Sequence, residues 1–282
     1  MVRILAILLL LAVAASADTV RIVAANLTSG SRQSYSPDNG NHSNPEGAGA
    51  RILKGLKPDI VLIQEFNTSV PVRQWVNATL GEQYSFFREE SAQIPNGVIS
   101  RFPIIESGEW DDPMQDNRDF AWARIALPDG SRLLAVSVHL SAKKADMRME
   151  EARTLVRLIE ANAKPGERVV IGGDFNLRDL SEDALAELGR VVVIPTDLPS
   201  DSAGNSRTNS PRNRPYDWVL VDPSTQRLCC PVKIAGEEFS SGLVFDSRIF
   251  DPLDAVSPVQ TGDSAVPQMQ HMAVARDFLL PP

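Results

Sequence analysis

Apolar and polar positions alternate in short runs along most of this chain of 282 residues. Val20-Arg21-Ile22-Val23-Ala24-Ala25-Asn26 alternates and then closes on an amide, which predicts a strand with a polar tip. Asp59 to Glu65 is an apolar run that ends in Gln-Glu and predicts a buried strand. Further strands are expected at 97–100, 104–105, 121–127, 132–139, 168–173, 216–221, 228–234 and 272–278, with Pro-Asp-Gly at 128–130 as a hairpin turn. Helical periodicity predicts helices at 46–56, 71–80, 143–163 and 181–188. In the longest, Met147, Ala152, Leu155, Val156 and Ile159 form the apolar stripe. Lys143, Lys144, Arg148, Arg153 and Arg157, interspersed with Asp146, Glu150 and Glu151, read as its wet face. The helix at 181–188 opens on Ser-Glu-Asp, an N-cap followed by acids. Residues 28–47, rich in Ser, Asn, Gly and Pro, read as a long loop.

Many strands, a few helices between them, no repeat and no linker predict packed sheets with outer helices in one domain. Gly172-Gly173 precedes Asp174 but is not the spaced glycine pattern of a dinucleotide site. The start of the chain follows another logic. Arg3, the apolar run Ile4 to Ala15 and the small-x-small Ala15-Ser16-Ala17 predict a signal peptide over 1–17. The domain would then occupy 18–282, in a secreted or periplasmic protein, expected to be a monomer with no stable membrane insertion.

Hydrophobic residues at 43% and charged residues at 23% exclude a largely disordered chain or a multi-span membrane protein. The net charge of −8 argues against a broad basic face for nucleic acid, while leaving a local basic cleft open. Two cysteines, adjacent at Cys229 and Cys230, supply neither a disulfide scaffold nor a cysteine-based zinc site. Neighbouring strand residues point to opposite faces, so a mutual bridge is not expected.

Several apolar strands end in a residue able to bind metal or move a proton. Asn26, Glu65, His139, Asp174 with Asn176, and Asp217 stand at such ends, and His271 opens the last strand. Functional groups gather where strands open into a common cleft. Each residue also has a plain reading, as a capped surface acid or a satisfied structural histidine. The chain has only three histidines, and the third, His42, lies in the long loop.

These segments resemble the endonuclease/exonuclease/phosphatase superfamily, the DNase I-like fold, from Val20 to Phe278. The resemblance is carried by Asn26, by Gln64-Glu65, and by Asn96-Gly97-Val98-Ile99-Ser100-Arg101-Phe102-Pro103-Ile104. It continues through Val138-His139-Leu140, Gly173-Asp174-Phe175-Asn176, Tyr216-Asp217-Trp218-Val219 and His271. It implies a four-layer α/β/β/α sandwich of two mainly antiparallel sheets and a metal-dependent phosphoesterase, foremost a phosphodiesterase or nuclease. A phosphomonoesterase, a lipid phosphodiesterase and an inactive binding module are the alternatives. Glu65 and Asn26 are the implied ligands of Mg²⁺ or Mn²⁺. His139, Asp174, Asn176, Asp217 and His271 are the implied catalytic set, with Asn176 and His139 as donors to the phosphoryl group and Asp217 fixing His271. Two positions depart from the pattern: Gln270 replaces the usual Asp before the last histidine, and Thr28 replaces an acid found in some members. Asp263 is a candidate substitute for the missing acid. Arg207, Arg212 and Arg214, in a segment without acids, read either as a substrate-binding phosphate grip or as a solvated basic turn.

Overall fold

A computed structural model of the protein describes residues 18–26, 46–266 and 269–281. The expected signal peptide, most of the long loop and Thr28 lie outside the described residues. In chain order, the first elements are β1 (Thr19–Ala25), α1 (Ala48–Leu56), β2 (Ile60–Ile63), α2 (Val72–Thr79), β3 (Ser85–Arg88) and β4 (Gly97–Ser100). Next come β5 (Ile104–Trp110), β6 (Phe120–Ala126), β7 (Arg132–His139), α3 (Ala145–Asn162), β8 (Arg168–Asp174), α4 (Asp183–Leu188) and β9 (Asp217–Val221). The chain closes with α5 (Pro223–Gln226), β10 (Cys229–Cys230), β11 (Val232–Ile234), β12 (Glu237–Phe239), β13 (Leu243–Phe245) and β14 (Ala273–Leu279).

Alternation along the strands sorts side chains into layers. Val20, Ile22 and Ala24 of β1 and Ile60 and Leu62 of β2 meet Ala123, Ile125, Leu133, Ala135, Val170 and Val219 from the other sheet. Val23, Val61 and Ile63, one residue out of phase, face α1 and α2 instead. Leu134, Val136, Val138 and Ile171 pack outward on Leu155, Val156 and Ile159 of α3. The result is the expected four layers, helices outside two sheets.

The first sheet has the order β10-β14-β1-β2-β4-β3, with β13 also on β14, and the second runs β5-β6-β7-β8-β9. Each sheet holds one parallel pair, β1 with β2 and β7 with β8, among antiparallel neighbours. Each pair is connected through a helix, α1 and α3, as a parallel crossover requires. Both pairs end at the residues singled out in the sequence, so the topology gathers them.

Gly172 and Gly173 make that end possible. A Cβ on Gly172 would lie 2.5 Å from Leu62 Cδ1, and one on Gly173 (φ 138°) would lie 2.1 Å from Val138 O and 2.5 Å from Gln64 Nε2. Gln64 uses the space to join the sheets: its Nε2 donates to Leu62 O at 3.0 Å and to Ser137 Oγ at 2.9 Å.

Several expectations need correction. In α3, Met147 is only half-buried, while Arg148 and Glu151, expected on the wet face, are buried. Arg148 pairs with both oxygens of Glu182 at 2.7 Å and donates to Ser141 O, and Glu151 accepts from Ser141 N and Gln115 Nε2. Charge identity alone does not reveal a partner that distant folding brings in. Ser181 does not cap α4; it bonds Asp179, and the helix starts at Asp183. The strand expected at 228–234 breaks into β10 and β11 around Pro231, whose missing N–H interrupts a ladder. β3, β12 and β13 are short elements that the apolar pattern did not resolve.

Candidate active site

Five of the singled-out residues gather around a sixth, the carboxylate of Asp174. In the register of the parallel pair, His139 lies opposite Asp174, and across β9 Asp174 lies opposite Asp217. His139 Nε2 is 3.2 Å from Asp174 Oδ2. Asn176 donates to Asp174 twice, through its backbone N–H at 2.8 Å and Nδ2 at 3.1 Å. Asn26 Nδ2 lies 3.3 Å from Asp174 Oδ2 and 3.3 Å from His271 Nε2. His271 Nε2 is 3.5 Å from Asp174, and its Nδ1 is 3.0 Å from Asp217 Oδ2. All of these side chains are buried.

Glu65 follows β2 as Asn26 follows β1, so the parallel pairing brings the two together at the strand ends. It stands beside the tight group of ligating atoms formed by Asp174, Asp217 and His271 rather than within it. Its charge still reaches His271 and Arg118. Glu65 (φ 48°) and Asn176 (φ 51°) both hold left-handed backbone conformations. Such strain concentrates at functional sites, where surrounding structure enforces it.

The two histidines titrate in opposite directions. Burial, then the cations Arg118 and His271, hold His139 well below the usual imidazole range. Burial also opposes charge on His271, but Asp217 and Asp174 outweigh it and push it up to about 10. Asp174 is raised to about 7, chiefly by burial and with help from Asp217, against the pull of His271, the Asn176 amide and Arg118. The site therefore carries a neutral imidazole and an imidazolium on either side of a carboxyl group poised near neutrality.

This geometry revises two expected roles. Asn176 Nδ2 is engaged by Leu140 O at 3.0 Å and by Asp174, and His139 Nε2 by Asp174. Both residues orient Asp174 rather than standing as free donors. Asp263 does not stand in for the missing acid at 270, because Arg51 grips both its oxygens elsewhere in the fold. Gln270 is exposed; its backbone oxygen accepts from Ser210 N at 2.7 Å.

The three loop arginines separate. Arg212 is an internal strut, with Nη2 at 2.6 Å from Asp201 and Nη1 at 2.6 Å from Asp246, so it is not a phosphate grip. Arg207 and Arg214 are half-buried, and Arg207 Nη1 is buried without a partner among the described residues. The strut holds a loop that braces the site: Thr208 Oγ1 accepts from Asp217 N at 2.7 Å, Asn209 bridges to His271, and the Tyr216 ring lies 5.7 Å from that of His271.

Arg118 escaped the sequence reading. It donates through Nε to His139 O at 2.5 Å and through Nη2 to Leu140 O at 3.2 Å, the carbonyl that also holds Asn176. No spacing marks it, because apart from Asn117 Oδ1 its partners are main-chain oxygens at the end of β7.

The comparisons with known proteins agree with this architecture. No curated protein matches the chain. Among solved structures, an endonuclease/exonuclease/phosphatase from Bacteroides vulgatus superposes with a TM-score of 0.61 at 17% identity, covering 93% of this chain and 99% of that one. The mannosyl-6-phosphatase of Bacteroides thetaiotaomicron gives 0.58 at 15% identity, covering 91% and 98%. D. rerio TDP2 complexed with a single-strand DNA product gives 0.56 at 15%, covering 92% and 98%. These likenesses show the fold. The sequence profile of the Endonuclease/Exonuclease/phosphatase family matches residues 39–242, and the chain belongs to that family.

Proposed function

We propose that this protein is an exported, divalent-metal-dependent phosphoric ester hydrolase that cleaves phosphodiesters. The observation that carries the reading is Asp174, a buried carboxyl group fixed by His139, Asn176 and Asn26 and facing a charged His271–Asp217 pair. A purely structural role would not require an imidazolium and two carboxylates gathered in the interior, since buried charge is costly.

The residues fit a hard cation. Asn26 Oδ1 and Asp217 Oδ1 are buried acceptors without partners among the described residues, and the surrounding donors are oxygen-rich. Glu65 and Asn26 would hold Mg²⁺ or Mn²⁺. His271, cationic at neutral pH, is a poor metal ligand. When bound, the ion offsets the negative charge that makes phosphate oxygens repel a nucleophile.

The chain's own groups supply the rest. Asp174, near neutrality, takes a proton from the attacking water, and His139 and Asn176 hold its oxygens in place. His271, kept protonated by Asp217, donates a hydrogen bond to the phosphoryl oxygen as negative charge builds there. Exclusion of bulk water strengthens both interactions.

A phosphomonoesterase is the second reading. It is favoured by the loss of Arg212 to internal ion pairs, which shortens the cationic surface available to a polyanion. The similarity to both a mannosyl-6-phosphatase and a DNA-bound TDP2 supports testing the two side by side. The experiment is a panel of plasmid DNA, RNA, sphingomyelin, a sugar phosphate and inositol phosphates with Mg²⁺ or Mn²⁺. Metal-dependent release from a diester is expected. Turnover of monoesters alone selects the second reading, and no turnover on any substrate overturns both.

A further inference from the structure

Arg276 is a charge in the wrong layer. It lies on β14 opposite Ile22 of β1, and its strand neighbours on that face, Val274 and Phe278, belong to the apolar layer between the sheets. Alternation along β14 therefore calls for an aliphatic side chain there. Arg276 is 2% exposed, yet its partners are neutral: Val219 O at 3.0 Å, Gln226 Oε1 at 2.9 Å and Cys229 Sγ at 3.2 Å. Its Nε is buried without any partner, and no carboxylate is paired with it among the described residues.

Two other buried arginines behave differently: Arg148 meets Glu182, and Arg124 meets Glu106 and Glu167. Arg118 also bonds neutral oxygens, but the charges of Asp174, Glu151 and Asp112 reach it. A buried cation without a counter-charge is strongly unfavourable, so a persistent one implies an anion from elsewhere. The surroundings provide its place. β10 and β9 are edge strands of the two sheets, and beside them Arg276 lines a cleft of about 430 Å³. Gln226 and Cys229 share that cleft, and Thr196, Ser240 and Ser241 offer hydroxyls. Asp197, exposed, is the one carboxylate on its wall and forms no ion pair with Arg276. None of the residues of the catalytic cluster lines this cleft, and Arg276 follows His271 by five positions, roughly 17 Å of extended chain at ~3.4 Å each.

We propose that this edge cleft is a second anion site, in which Arg276 and the Thr196, Ser240 and Ser241 hydroxyls receive a phosphate-type oxyanion. Guanidinium and hydroxyl groups together match the acceptor-only oxygens of phosphate. An anion that binds only the folded protein stabilises it by mass action.

The test is thermal unfolding of the full chain in EDTA, with inorganic phosphate compared with chloride at equal ionic strength. EDTA removes any divalent ion that would retain phosphate at the catalytic cluster. Wild type is expected to gain Tm with phosphate beyond the chloride control. Ser241→Asp, which sets a carboxylate into the cleft, is expected to abolish that gain, and so is Arg276→Met. Should Arg276→Met fail to fold, Ser241→Asp decides alone. A sugar phosphate run in parallel distinguishes the sources: a larger gain than with inorganic phosphate assigns the cleft to phosphate esters, an equal gain to the free oxyanion. A wild type indifferent to phosphate, or a gain that survives in Ser241→Asp, overturns the proposal.

Discussion

Two histidines approach the same carboxyl group, and the fold shifts their protonation in opposite directions. His139 and His271 are equally buried, each 6% exposed, and each places Nε2 within 3.5 Å of Asp174 Oδ2. Desolvation acts on both in the same direction. What separates them lies behind each ring. His271 has Asp217 at 3.0 Å on Nδ1, whereas His139 Nδ1 has no partner among the described residues and its main chain is capped by Arg118. One second partner thus decides whether a buried imidazole is a cation or a neutral hydrogen-bond donor.

The comparison can be broken at its shared centre. Asp174→Asn removes the proton acceptor and the partner of both rings, and is expected to lower kcat by ~10⁴-fold, the upper range for a general base. Measured turnover within tenfold of wild type would refute the assignment. His271→Ala removes only the cationic side, with an expected loss of about 10²–10³-fold in kcat. His139→Gln keeps a donor toward Asp174 and should cost less than His271→Ala. A reversal of that order would show that the neutral ring carries the chemistry.

The pH profile sharpens the same contrast. In the proposed mechanism Asp174 acts deprotonated and His271 protonated. It should rise as pH passes about 7 and fall as pH passes about 10. Asp217→Asn withdraws the largest influence holding His271 up, so its alkaline limb is expected to move to lower pH while the acid limb persists. An unmoved alkaline limb in kcat measured against pH would separate that limb from His271. The smallest effect is expected from Gln270→Asp. Residue 270 is exposed, where one added charge is well screened, so the Mg²⁺ needed for half-maximal activity should change by less than ~3-fold.

Much of this site was legible because its residues close or open strands, and strands are visible as apolar runs. Asn26, Glu65, His139, Asp174, Asp217 and His271 all have that signature; parallel pairing brings the closing residues to one edge, and antiparallel pairing brings the opening residues Asp217 and His271 to the same edge. Arg118 and the strut role of Arg212 have no such signature. Their partners are carbonyls and acids distant in the chain, and a lone arginine reads alike whether it faces water, a phosphate or Asp201. The same ambiguity hid Arg148, whose helical position looked solvated until Glu182 was brought against it.

The sequence by itself determined the layers, because a period of two interrupted by helical stretches admits few packings, while the family resemblance was carried by its motifs, Gly173-Asp174-Phe175-Asn176 foremost. Only the tertiary structure decided which charges are engaged and which remain poised. Protonation depends on burial and on neighbours within a few ångströms, and those neighbours come from strands scores of residues apart: Asp174 beside Asn26, and His271 beside Asp217. Pairing is decided the same way, and Arg276 is paired with no carboxylate among the described residues.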